Sequence, residues 1–180
     1  MKFACLWRQI MTTLTPMLRR FLGLKLLAVM LAAMPISAAQ AGEASGALTH
    51  QARSGPVEVR FKHAYLVAGP NFENRQVRLL VLSEEDLASA IQGCDRLGCV
   101  PAELMAGATV EFDAGPRFGY WFVANGQRVQ HSGTSRQEQM NLTQDSPQRL
   151  AGEWTLPGGG SGPSGSVKFD ASLLKTFGKP

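Results

Sequence analysis

The 180-residue chain is poor in the residues that carry most protein chemistry. It has three histidines, His50, His63 and His131, and three cysteines, Cys5, Cys94 and Cys99. Neither type clusters as the ligands of a closed zinc site do, and the cysteines lack the C-x-x-C spacing of a redox enzyme. The serines of the Gly/Ser-rich stretch Gly158–Gly165 have no G-x-S-x-G around them, because Ser161 meets Pro163 and Ser164 meets Ser166. A nucleophile elbow is thereby excluded. No G-K-[ST] follows, which excludes a phosphate-binding loop. There is no internal repeat. No cofactor is expected.

Acidic residues are missing altogether before Glu43, and that absence reorganises the charge. The whole chain has 18 Lys and Arg against 14 Asp and Glu, a formal net charge of +4. Five of the cations, Lys2, Arg8, Arg19, Arg20 and Lys25, precede residue 26. From Gly42 onward thirteen cations face fourteen acids. A balance that close to neutral gives no electrostatic footprint for nucleic acid.

Residues 1–41 have the order of an export signal. Basic residues come first, then an apolar run from Leu26 to Ile36, then small residues ending in Ala39-Gln40-Ala41. The last three fit an A-x-A cleavage site with Gly42 as the new N-terminus. The run is about half of the ~20 residues that span a bilayer, so a permanent anchor is disfavoured. Met11 or Met17 would give a more ordinary signal length than Met1. Arg19-Arg20 lacks the preceding Ser or Thr of a twin-arginine signal, and Gly23 stands where that signal is apolar. The expected location is periplasmic or secreted, with no membrane span after cleavage. In such an oxidising compartment Cys94 and Cys99 should close a disulfide. The loop between them could be a hook stapled for partner recognition.

The remainder reads as strands. Residues 42–56 are small and polar and are expected to be a flexible lead-in. Residues 57–180 are expected to form one domain. From Val57 the sequence alternates, with Val59, Phe61, His63, Tyr65 and Val67 on one side of a single strand. Val77–Leu82 suits a central strand. Ser83 caps an expected helix ending at Gly93, with Asp86 at the reciprocal capping position. Thr109–Ala114 and Phe118–Ala124 follow, and Asn125-Gly126 between two strand-like runs is a strong hairpin signal. Glu138–Thr143 and Arg149–Leu156 make another pair. Val167–Asp170 is a last strand, and Leu173–Phe177 a terminal helical turn. Seven or eight short strands with regular turn signals argue a mainly β, antiparallel sandwich (immunoglobulin-like or jelly-roll-like) or small barrel with one inserted short α-helix.

The most distinctive segment runs from Asp113 to Gln127. Tyr120 and Trp121 are adjacent, so on a strand one faces the core and the other faces outward. An outward aromatic beside Arg117 has hot-spot composition, and Gly119 lets a partner approach. The competing expectation is that Trp121 is the large core residue and Arg117 pairs with Asp113. Candidate binding residues are Asp113, Arg117, Tyr120, Trp121, Asn125 and His131. A metal site would need His63 and His131 as cross-sheet neighbours with Glu111 or Asp113, and none is expected. Glu111, Asp113 and His131 would serve a small hydrolase acting on wall or glycan.

Ser132-Gly133-Thr134-Ser135 resembles part of the Ser-Gly-x-x-Tyr loop of small exported lysozyme inhibitors of the barrel type. Arg136 stands where that loop has its tyrosine. The resemblance covers a few residues and implies only an alternative, inhibition of a lysozyme or protease. The leading expectation is a non-enzymatic exported protein that binds a protein or a cell-envelope component.

Overall fold

The computed structural model describes residues 42–158 and 162–178. The expected export signal, and residues 159–161 of the glycine- and serine-rich stretch, lie outside the described residues. The fold is mainly antiparallel β with one short α-helix. Ten strands form one sheet: β1 (Gly42–Ala52), β2 (Gly55–Arg60), β3 (His63–Pro70), β4 (Gln76–Ser83), β5 (Gly107–Phe112), β6 (Phe118–Ala124), β7 (Val129–Ser135), β8 (Met140–Ser146), β9 (Arg149–Pro157) and β10 (Ser164–Thr176). The spatial order is β7-β6-β5-β4-β3-β1-β10-β9-β8, with β2 paired to β1. The helix α1 (Ala88–Gly93) and a 3₁₀ turn (Leu97–Glu103) lie between β4 and β5, and a second 3₁₀ turn (Gln137–Gln139) joins β7 to β8.

The expected lead-in is instead a central strand. β1 pairs with β10 along seven residues, from Glu43 with Asp170 to Thr49 with Ser164, and with β2 and β3 on its other side. Two of its small residues, Gly42 and Gly46, sit in close backbone approaches. Gly46 has φ +119°, and a β-carbon there would lie 2.2 Å from the Ser166 carbonyl oxygen. Only glycine meets both conditions.

The single alternating strand expected from Val57 is broken at Phe61-Lys62. Arg60 is opposite Ala47, whereas His63 is opposite Glu43. Two residues, Phe61 and Lys62, thus stand opposite three, Ala44 to Gly46. Such a one-residue slip turns every later side chain to the other face. Val59 and Phe61 therefore share a core with Ala64 and Leu66, while Tyr65 and Val67 point the opposite way. β3 is consequently buried on both faces.

Two further expectations are corrected. Leu173–Thr176 is not helical; β10 passes a bulge and runs parallel to β3, Leu173 opposite Leu66 and Thr176 opposite Ala68. Ser83 ends β4 instead of capping the helix, and its hydroxyl donates to the Glu85 carbonyl at 2.6 Å. The N-cap residue is Leu87, which supplies no capping side chain, and Asp86 one residue earlier accepts the Ala88 N–H through Oδ1 at 2.9 Å. The Asn125-Gly126 hairpin forms, with φ 51° and 64° at those residues, and its loop extends through Gln127 at φ 65°.

The sheet curls so that most of its strands turn one face to a common inner core, with Leu48, Leu66, Val110, Phe122, Trp154 and Phe169 from six of them. The indole N–H of Trp154 on β9 donates to Ser135 Oγ at the end of β7, at 3.1 Å, bringing distant parts of the strand order together. A second core lies on the outer face of β3, β4 and β6. It is covered by Leu87, Ile91, Leu97, Val100 and Leu104 from the helical insertion and by Phe177 from the C-terminal tail. No helix among the described residues is long and apolar enough to cross a membrane.

Candidate functional site

The outer cover stops before it reaches the far end of β5 and β6, and a groove of about 580 Å³ opens there. Its floor is the outer face of three strands: Leu79 of β4, Thr109 and Glu111 of β5, and Gly119 and Trp121 of β6. Strand pairing sets this row, because Thr109 is opposite Trp121 and Glu111 opposite Gly119. A β-carbon on Gly119 would have nothing within 4 Å, so the missing side chain directly enlarges the groove.

One wall is the β3–β4 turn. Asn71 builds it: its Oδ1 accepts the N–H groups of Glu73 and Arg75 at 2.9 and 3.1 Å. Its Nδ2 donates to Glu111 Oε1 at 3.1 Å, which fastens the turn to the floor. Phe72 is thereby held at the tip with 97% of its surface exposed. Its ring end lies 3.4 Å from where a β-carbon on Gly98 would stand, on the opposite wall.

That opposite wall is the cysteine loop. Cys94 and Cys99 form a disulfide with Cα atoms 5.6 Å apart. Leu97 and Val100 anchor the loop in the outer core, leaving Asp95, Arg96 and Gly98 exposed along the groove. Lys175 Nζ donates to the carbonyls of Gln92 and Cys94 at 2.7 and 2.5 Å, which ties the helix exit to β10. Cys94, Cys99 and Glu103 lie close enough to suggest a metal cluster, but the disulfide leaves no thiolate to bind one.

The residues expected from the sequence to form one site are distributed among several places. Trp121 faces outward, half-buried on the groove floor. Tyr120 faces inward and meets Trp154 edge-on at 5.4 Å, so the large core tryptophan is Trp154 and not Trp121. Arg117 is exposed and does not pair with Asp113. Asp113 instead binds Arg78 through two hydrogen bonds of 2.6 and 2.9 Å, and Arg78 also reaches Asp145 at 2.6 Å. The guanidinium holds the Asp113 carboxyl below the usual carboxylate range, and the same bonds raise the Arg78 pKa. Asn125 is in the β6–β7 turn, whose Gly126 N–H donates to the Met105 carbonyl.

His131 faces inward, and its neighbour is His50 rather than His63. His63 stacks on Tyr65, with ring centroids 6.4 Å apart. Glu111, Asp113 and His131 therefore do not converge: Glu111 is held by Asn71 in the groove, Asp113 by Arg78, and His131 lies on the inner face. Phe72, Asn71 and Arg96 were missed by the sequence reading. Asn71-Phe72 after Gly69-Pro70 was a usable signal, since a large aromatic in a polar turn has no local reason to be there. The chain matches no family model, no curated protein and no solved structure.

Proposed function

We propose that this is an exported, non-enzymatic binding protein that seats a partner protein's segment in the groove beneath Phe72. The observation that carries the reading is the exposure of Phe72 over an open floor containing Trp121. An almost fully exposed phenylalanine held by three hydrogen bonds of Asn71 is apolar surface maintained in water, and aromatic anchors of this kind concentrate binding energy when covered. Arg96 and Asp95 on the rim would set the orientation of the segment. The occupant that fits is an extended segment with one large apolar side chain directed at Gly119. The disulfide and the order of residues 1–41 support action outside the cytoplasm.

Selection of peptides displayed on phage tests this against the wild-type protein and Gly119→Leu. The leucine fills open space and leaves the sheet intact. Peptides sharing an aromatic or branched aliphatic residue should be enriched, and should lose about tenfold or more in affinity against Gly119→Leu and Phe72→Ser. Enriched peptides that bind both variants as well as wild type would place the binding surface elsewhere. Inhibition of a purified lysozyme or protease by the wild-type protein, abolished by Phe72→Ser, would identify the partner as an enzyme.

A further inference from the structure

On the inner face, away from the groove floor, two histidines distant in sequence meet. His50 is on β1 and His131 on β7, and their ring centroids are 5.3 Å apart with the planes inclined by 40°. Phe122 backs His50 at 5.9 Å, and Tyr120 lies 6.0 Å from His131. We propose that His50 and His131, with the Tyr120 hydroxyl beside them, bind a divalent first-row transition-metal ion.

Three observations carry this. Two imidazoles bound to one ion at about 2.1 Å with a tetrahedral angle have ring centroids about 5 Å apart, which is the separation found here. His50 is only 8% exposed, and its Nδ1 is buried with no hydrogen-bond partner among the described residues. A buried imidazole nitrogen without a partner requires a reason, and a metal ion supplies one. The Tyr120 hydroxyl lies nearby: a β-carbon built on Gly162 would stand 3.4 Å from Tyr120 Oη and 3.5 Å from His131 Nε2, so these two polar atoms are neighbours beside Gly162.

Two imidazole nitrogens suit Cu(II), Ni(II) or Zn(II), with copper held most tightly, and the Tyr120 oxygen would join as a ligand only by releasing its proton to solvent when the ion binds. His131 is only half-buried, which leaves a path for the ion. The coordination left open would take water or a small ligand.

The test uses the purified protein without a histidine tag, stripped with EDTA and titrated with Cu(II) and then Zn(II) by calorimetry. One equivalent should bind, copper more tightly than zinc. The copper form should show nitrogen hyperfine coupling in its electron paramagnetic resonance spectrum. His131→Ala should weaken binding by about tenfold or more and remove part of that coupling. Tyr120→Phe should weaken it less, and His63→Ala should leave it unchanged. Absence of saturable binding, or undiminished binding in folded His131→Ala, overturns the assignment. Should His50→Gln fail to fold, the partly exposed His131 still decides the outcome. The groove reading does not depend on this site, and Phe72→Ser should bind the ion as wild type does.

Discussion

The inner face of the sheet is covered by the sheet itself, whereas the outer face is covered only where the insertion 87–104 and the tail residue Phe177 lie on it. The inner core draws side chains from strands far apart in sequence. The outer core rests on three strands and a cover held by a disulfide, a lysine and one tyrosine. The inner core is therefore inseparable from the pairing of the strands. The outer cover can loosen while the sheet persists, and the groove opens at its border. Binding surfaces belong at such borders, because a cover that ends leaves apolar floor and polar rim side by side.

The strongest way to break this contrast is Trp154→Ala. Its side chain is fully buried, bonds Ser135 and touches Tyr120. Losing it should cost about 3–5 kcal/mol, seen as a collapse of the urea midpoint with all strands melting together. If hydrogen exchange showed only β8 and β9 affected, the inner core would not be one unit.

The double change Cys94→Ser with Cys99→Ser should cost less, about 2 kcal/mol for so short a loop. Its effect should be local. Amide exchange should speed up across residues 87–104 while β1, β9 and β10 keep their protection, and peptide affinity for the groove should fall with it. A uniform loss of protection would mean that cover and sheet unfold as one.

The same contrast explains what could be read from the sequence. The outer face was partly legible, because its groups are local: the Cys94–Cys99 pair, the stop at Gly93, and the turn at Asn125-Gly126. The antiparallel β class was legible from alternation. The role of β1 was not, since Gly42–Ala52 has few large apolar residues and its burial comes from neighbours more than a hundred residues away, such as Val167 opposite Gly46. His50 was misplaced for the same reason. The face exchange after Phe61 was hidden because a bulge leaves no mark on a period-two pattern. Tyr120 and Trp121 were correctly expected to diverge, but which one entered the core depended on Trp154, a residue on a strand that pairs with neither. Long-range pairing, rather than local preference, settled these points of the fold.

The smallest effect probes the latch between the sheet and its outer cover. Tyr65 lies on the outer face of β3, 1% exposed, and its hydroxyl donates to Asp86 Oδ1 at 2.6 Å while accepting the Leu87 N–H at 2.9 Å. It thus joins the sheet to the start of the helical cover. Tyr65→Phe keeps the ring and removes both bonds, for a loss of about 1.5 kcal/mol near neutral pH. The loss should depend on pH in a defined way. Burial, and next the bond to Asp86, push the Tyr65 pKa up to about 12 from 10.0. The unfolded chain then releases this proton before the folded one does, so the contribution is complete below pH 10 and disappears as the pH rises toward 12. The Tyr65 bond, and next the Ala88 N–H, hold the Asp86 carboxyl below its usual value of 3.8. That contribution is complete above the usual value and is lost as the pH falls through the lowered one. The difference in urea midpoint between wild type and Tyr65→Phe should therefore be level from about pH 5 to 9 and shrink at both extremes. A difference that stays constant across the range would show that the hydroxyl contributes packing alone and that the cover is held by the disulfide and Lys175.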